Sequence, residues 1–321
     1  MSREVETDDG SCASCGEAKV DGNKLTTMSC CAFCGIAEID DIKLKDCDNC
    51  DLEKYCCDDC QELHRPEHED ACKKRAAELR DDLLFQQPDS SHLGDCPICL
   101  FPLSFDVTKN TMWPCCSKLI CNGCNLANQE REHEMRLQHT CPFCRRLLNK
   151  TDTAIKLHRQ RAEANDPLAL ERVGERCLQE GDYEGAFECW TKAAQLGEVE
   201  AHYQLSVVYQ LGWGVEKDEK KEVNHLETAA IAGHPEARHN LGVTEIQNGR
   251  RERAVKHWMI AANLGCDDSL DALKQCCQKG IISKEDFAAA LRAYQAAVNA
   301  TKSPQRDVAE ARMGKMMGLK F

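Results

Sequence analysis

The sequence predicts a multidomain chain in which two small cysteine-built modules precede an all-α repeat solenoid. Of 24 cysteines in 321 residues, nineteen lie between Cys12 and Cys144 and only five in the remaining 177, so two kinds of architecture meet near residue 150. The N-terminal cysteines fall largely into pairs two or three residues apart. Beyond Lys150 a pattern of Ala, Leu and Gly recurs in register every 32 to 36 residues, the mark of stacked helical units. A chain of this length also exceeds one small domain.

Composition narrows the setting. The N-terminus MSREVETDDGS has no apolar stretch behind a basic start, so no secretory signal is visible. No run of about 18 apolar residues occurs, which leaves no membrane-spanning helix. An intracellular, reducing compartment is expected, cytoplasmic or nuclear, where clustered thiols serve as zinc ligands rather than bridges. The net charge of −13 argues against a nucleic-acid partner, since phosphate recognition rests on clustered Lys and Arg.

The first constellation reads Cys31-x2-Cys34, Cys47-x2-Cys50, Cys56-x3-Cys60 and His68-x3-Cys72, eight ligands in four pairs. A turn of two or three residues points both side chains of a pair inward, and two pairs close a tetrahedral zinc site. Cys30 and Cys57 stand beside ligands as spare thiols, either able to replace its neighbour. Tyr55-Cys56-Cys57-Asp58-Asp59-Cys60-Gln61, followed by Pro66-Glu67-His68 and Cys72, resembles the MYND zinc finger over residues 29–74. The resemblance implies interleaved pairs: Cys31, Cys34, Cys56 and Cys60 on one ion, Cys47, Cys50, His68 and Cys72 on the other. It also implies a docking site for a short peptide around the sixth ligand, with Gln61 as a contact. Where the family usually carries a tryptophan, this chain has Arg65. Cys12-x2-Cys15 lies in a polar, acidic leader, residues 1–28, expected to be disordered.

The charged segment from Lys73 to Gln87 is expected to be a helix running out of the first module, within a helical linker at residues 75–94 that Pro88 and the Asp89-Ser90-Ser91 stretch break. The second constellation follows: Cys96-x2-Cys99, Cys115 with Cys116, Cys121-x2-Cys124 and Cys141-x2-Cys144. With Cys96-Pro97-Ile98-Cys99 and Cys141-Pro142-Phe143-Cys144-Arg145 at its ends, residues 95–148 resemble an all-cysteine RING finger. That family's cross-brace implies Cys96, Cys99, Cys121 and Cys124 on one zinc and Cys115, Cys116, Cys141 and Cys144 on the other, with His133 or His139 as alternatives to one of the adjacent cysteines. The two fingers together call for about four zinc ions, bound in closed ligand shells that leave no position for catalysis by the metal. The RING resemblance implies ubiquitin ligase activity, in which a ubiquitin-conjugating enzyme is recruited and no nucleophile is supplied. Ile98 and Pro142 match the apolar docking surface, and Arg145 the basic residue that bridges to ubiquitin. Residues 125–140 lack the aromatic often found there.

After a linker at residues 149–165, three segments align without gaps: residues 184–197, 220–233 and 252–265. Phe187, Val223 and Val255 stand in register, as do Trp190, Leu226 and Trp258, and each copy carries an Ala pair before a closing Gly. A partner helix precedes each, with Gly174, Ser206 and Gly242 in equivalent places, small enough for two helices to approach closely. Residues 166–300 therefore read as antiparallel helix pairs, with residues 267–278 and 284–299 as a degenerate fourth that caps the stack. They resemble Sel-like repeats of the tetratricopeptide superfamily, whose concave face implies a protein client. Cys177, Cys189, Cys266, Cys276 and Cys277 lack pair spacing and read as apolar fillers. The tail, residues 301–321, is expected to be disordered. Two functions remain open: a RING-type ubiquitin ligase with a client on its repeats, or a non-enzymatic scaffold whose fingers only dock peptides.

Overall fold

The computed structural model describes residues 31–34, 43–147 and 154–316. The expected leader with Cys12 and Cys15, and Cys30, lie outside the described residues. The chain divides after Leu84 into two compact units.

In the first unit, a two-residue ladder pairs β1 (Lys45–Asp46) with β2 (Lys54–Tyr55), and α1 (Asp58–Leu84) follows. α1 buries only Cys60, His68 and Leu84 along 27 residues, too little for an apolar stripe to dock it. Side chains with directional chemistry hold it instead. Cys60, His68 and Cys72 meet cysteines that precede the helix. Arg75 grips both oxygens of Asp51, at 2.6 and 2.7 Å. Buried Tyr55 donates or accepts a 2.9 Å hydrogen bond at His64 Nδ1.

The second unit opens with residues 85–94, which carry no regular structure. The next module contains an antiparallel hairpin of β3 (Asn110–Trp113) and β4 (Lys118–Cys121), which pairs Asn110 with Cys121 and Trp113 with Lys118, then α2 (Asn122–Glu134). Leu103, Trp113 and Ile120 form its apolar centre beside four buried cysteines. Then come α3 (Ala154–Glu163), α4 (Pro167–Glu180), α5 (Tyr183–Gln195), α6 (Val199–Leu211), α7 (Glu219–Ile231), α8 (Pro235–Gln247), α9 (Arg251–Asn263), α10 (Asp267–Gln278), α11 (Lys284–Ala300) and α12 (Pro304–Met316). Helices α4 to α9 form three successive pairs, each packed on the next, and α10 and α11 close the stack against α9.

The small residues work as their spacing predicts. A Cβ on Gly242 would stand 2.4 Å from Trp258 Nε1, and one on Gly174 2.7 Å from Trp190 Nε1. Each indole reaches across the helix pair to donate to a backbone carbonyl, Trp258 to His239 at 3.2 Å and Trp190 to Glu171 at 3.3 Å. In the middle pair the smaller Leu226 replaces the indole, and Ser206 is tolerated where its neighbours need Gly.

Three expectations for connecting segments are corrected. The helical linker ends at Leu84, and residues 85–92 lie on the repeats, because Phe85 has an apolar ring to bury. That ring stands 4.7 Å from the His257 ring and 4.7 Å from the Arg253 guanidinium, and Gln87 accepts from Asn263 Nδ2 at 2.9 Å. The linker at residues 149–165 contains α3, packed on α4. The tail is not disordered where it is described: α12 spans Pro304–Met316 and packs on α2. Its start is capped by Ser303, whose Oγ accepts from Arg306 N at 3.3 Å, with Pro304 in the first turn.

Gly242→Ala should destabilise the repeats by about 1–3 kcal/mol through overpacking against the indole. Thermal unfolding followed by far-UV circular dichroism measures it, with Ser206→Ala as the control of small effect. An unchanged midpoint for Gly242→Ala would show that the indole does not press on the backbone there.

Candidate metal centres

In the first unit, the β-ladder and the start of α1 bring the pairs together in alternation. Cys31, Cys34, Cys56 and Cys60 form one quartet, and Cys47, Cys50, His68 and Cys72 the other. In the second module, Cys96 and Cys99 meet Cys121 and Cys124, and Cys115 and Cys116 meet Cys141 and Cys144. All sixteen residues expected as ligands thus fall into the four sets that the two resemblances imply.

The donor geometry fits zinc. Tetrahedral thiolates about 2.3 Å from a zinc ion lie about 3.8 Å apart, whereas a disulfide would bring sulfurs to about 2.05 Å. The Sγ separations are 3.5 Å for Cys34–Cys56, 3.6 Å for Cys56–Cys60 and 3.7 Å for Cys47–Cys72, and Cys50 Sγ stands 3.2 Å from His68 Nε2. In the second module they are 3.8 Å for Cys99–Cys121, 3.5 Å for Cys116–Cys141 and 3.5 Å for Cys115–Cys144. Electrostatics agrees. Burial, then the neighbouring Cys47 and Cys50 sulfurs, pushes the Cys72 thiol up to about 12. Burial and adjacent sulfurs act likewise on Cys115 and Cys124. Cys31 moves the other way, to about 6, because amide donors of Cys34, Cys56 and Phe33 outweigh its burial. Four crowded sulfurs cannot all ionise unaided, and a bound divalent cation supplies the missing charge.

Both C-x2-C turns at the ends of the second module are built alike. Leu100 N donates to Cys96 O at 2.8 Å and Arg145 N to Cys141 O at 3.1 Å, and Leu100 and Arg145 both adopt left-handed backbone, φ 59° and 61°. His139 is committed elsewhere: its Nδ1 lies 2.7 Å from Glu132 Oε2, a buried carboxylate that also accepts from Thr140 N. His133 is exposed on α2. Cys57 Sγ sits 3.9 Å from Cys56 Sγ and outside the quartet.

Of the expected partner contacts, Ile98 is 45% exposed and Arg145 exposed, while Pro142 is half-buried. Gln61 lines a shallow cleft of about 600 Å³ with Arg65, His68 and Cys72, and its Nε2 reaches Asp48 Oδ2 at 3.2 Å.

Sequence reasoning missed two groups. Arg306, on α12, donates to Cys99 Sγ at 3.3 Å and so touches a member of a quartet from the far end of the chain. The Ser303-Pro304 pair was the available signal for its helix. The other is a half-buried cluster of His92, Glu200 and His234, with parallel histidine rings 4.4 Å apart. His234 Nδ1 accepts from Ala237 N at 3.2 Å and caps α8, so in the neutral ring Nε2 carries the proton and faces Glu200 Oε2 at 3.1 Å. Ligation through Nε2 would leave that ring without a proton, whereas a metal-bound histidine normally donates from its other nitrogen. The cluster is therefore a hydrogen-bonded clasp for residues 88–92.

Residues 31–72 match the family model of the MYND finger. The chain is similar to the "DAP3-binding cell death enhancer 1" of Mus musculus, 25% identical over 175 residues, 42% of this chain and 34% of that protein. The Rattus norvegicus protein of that name is 23% identical over 180 residues, 44% of this chain and 35% of its own length. The chain thus spans about a third of the curated relatives it matches. Among solved structures, it is similar to a Sel1 repeat protein from Oxalobacter formigenes: 25% identity, 56% of this chain, 71% of that one, TM-score 0.38. It is also similar to c5321, a protective antigen of uropathogenic Escherichia coli strains displaying an SLR fold: 26% identity, 47% of this chain, 34% of that one, TM-score 0.40. A zinc-binding finger joined to helical repeats is an architecture of protein–protein interaction. Among the described residues, no helix is long and apolar enough to cross a membrane.

Elemental analysis of the purified chain should find about four zinc ions, one per quartet. Stripping them with a chelator should unfold both modules, since structural zinc in small fingers contributes on the order of 10–16 kcal/mol. Limited proteolysis should then cut within residues 43–147 and spare the repeats. A stripped chain still resistant there would refute the metal reading.

Proposed function

We propose that the chain is an intracellular RING-type ubiquitin ligase: its second module engages a ubiquitin-conjugating enzyme, and its repeats hold a protein client. The observation that carries this reading is the exposure of Ile98. A side chain serving only as module core would be buried, yet Ile98 is 45% exposed, beside Leu100 at 72% and Phe101 at 48%. An apolar loop turned to solvent on a metal-fixed turn is what a docking surface requires. Arg145 holds on the last turn the place that Leu100 holds on the first, with a guanidinium fork to bridge two partners. The activity would be catalysis by positioning, with no nucleophile of the chain's own. Zinc in the sixteen-residue ligand set fixes the loops and takes no part in the transfer.

The first finger fits peptide docking. Gln61 and Arg65 stand together in its cleft, and Arg65 in place of tryptophan favours a partner that offers hydrogen-bond acceptors. The second reading, a scaffold without enzymatic activity, is favoured by the absence of any Trp, Phe or Tyr in residues 125–140.

A self-ubiquitination assay separates the two. With ubiquitin, activating enzyme and a panel of conjugating enzymes, the full chain should form ubiquitin chains. Ile98→Ala and Arg145→Ala should each slow this roughly tenfold or more, the loss of about 1.4 kcal/mol or more of transition-state contact. No chains with any conjugating enzyme, or both variants at wild-type rate, would leave the scaffold as the function.

A further inference from the structure

The loop that carries Ile98 is held by a residue some two hundred positions downstream. Arg306 Nη1 donates to Pro102 O at 2.6 Å and to Thr301 O at 2.7 Å, while Nη2 donates to Phe101 O at 3.1 Å and Cys99 Sγ at 3.3 Å. Its guanidinium lies 5.9 Å from the centre of the Phe101 ring. One planar fork thus spans the end of the first C-x2-C turn, a ligand sulfur on that turn and the C-terminal end of α11. Around it, α12 packs on α2. Lys109 pairs with Glu310 at 3.1 Å, and Arg312 with Glu130 at 2.9 Å. Those two pairs are solvent-exposed and contribute little. Arg306 is half-buried and donates to four acceptors, and charge-assisted bonds out of full water contact are the stronger kind.

The turn needs such support. Within the module, the span from Cys96 to Leu103 is closed by three backbone bonds, Cys96 N to Phe101 O, Leu100 N to Cys96 O and Leu103 N to Gly94 O. Between its buried ends, Cys96 and Leu103, the side chains it presents, Ile98, Leu100 and Phe101, face solvent and pack on no core. Arg306 supplies the anchorage that the exposed face forgoes, and it leaves Ile98 uncovered.

We propose that Arg306 is a positioning residue for the conjugating-enzyme surface, and that α12 completes the second module by fixing the loop over residues 98–102. This rests on the ligase reading above. Arg306 touches neither partner in this account and acts through the carbonyls of Phe101 and Pro102 and the sulfur of Cys99.

The test uses the full zinc-loaded chain as wild type, Arg306→Ala, Arg306→Lys and the control Arg312→Ala, which removes an exposed pair on the same helix. Arg306→Lys keeps the charge and stem, so the helix stays folded, but an ammonium cannot span four acceptors in the plane of a fork. Two readouts are taken at equal zinc content: amide hydrogen exchange of the peptide covering residues 95–105, and ubiquitin discharge against conjugating-enzyme concentration. Both Arg306 variants should exchange faster at Leu100 and Leu103. They should also raise KM for the conjugating enzyme roughly tenfold, in line with the loss of a partner behind a metal ligand, with kcat within about twofold, the pattern of lost binding. Arg312→Ala should match wild type in both. Unchanged exchange overturns the proposal. So does faster exchange with unchanged KM, which makes Arg306 a structural brace alone. A wild-type chain inactive with every conjugating enzyme brings down the ligase reading and this proposal together, whereas an active wild type with indifferent variants brings down only the proposal.

Discussion

Sulfur crowded against sulfur is the constraint on which the N-terminal half depends. The buried cluster of the first unit consists of Cys31, Cys47, Cys50 and Cys60 with Tyr55 as its one large apolar member. Remove the ligands and almost no core remains. Its strands are two residues long and its helix has almost no apolar face, so neither element persists by its own hydrogen bonding. The second module is better supplied, with Leu103, Trp113 and Ile120, but four of its seven buried core members are again ligand cysteines. Metal affinity is folding energy in both.

The repeats solve the same problem without metal. Their helices meet through alanines buried to the last atom and through indoles pressed against glycine backbone. Each pair buries its face against the next, so the stack is self-sufficient, provided its ends are closed. At one end α3 lies on α4, and at the other α10 and α11 fold against α9. Within this unit the second module is attached from both directions along the chain. Residues 85–92 bind α9 and the turn between α7 and α8, where Gly233 at φ +87° leaves room for Ser90, whose carbonyl would lie 2.6 Å from any Cβ. After the last repeat, α12 returns to α2.

Much of this was legible because the signals are local. Ligand pairs announce themselves by spacing, and the repeat helices by Trp190, Leu226 and Trp258 recurring in register; α10 was expected at residues 267–278 and spans Asp267–Gln278. What escaped notice depends on contacts far apart in sequence. α12 has no apolar stripe to read: Ala309 is buried, but the helix is fixed by Arg306 through backbone carbonyls and a sulfur, and carbonyls are invisible in composition. Phe85 and His92 looked like members of a linker, because nothing nearby in sequence says that an aromatic ring will lie on α9 or that a histidine will stack on His234. Residues 301–321 carry five basic and two acidic side chains, a composition that reads as a solvated tail, but a basic side chain, Arg306, is also what clasps a cysteine-rich module.

The attachment of the second module to the repeats matters to either function. Two binding surfaces joined by a loose tether meet at an effective concentration set by the tether and falling with its length. Surfaces within one compact unit keep a nearly fixed separation and orientation instead. If the exposed loop at Ile98 and the repeats each bind a protein, those two proteins are held in a defined geometry. A ligase needs this to bring a lysine of its client to the thioester, and a scaffold needs it to favour one pair of partners over others. The zinc quartets therefore decide whether the loop exists, and Arg306 with residues 85–92 decides where it points.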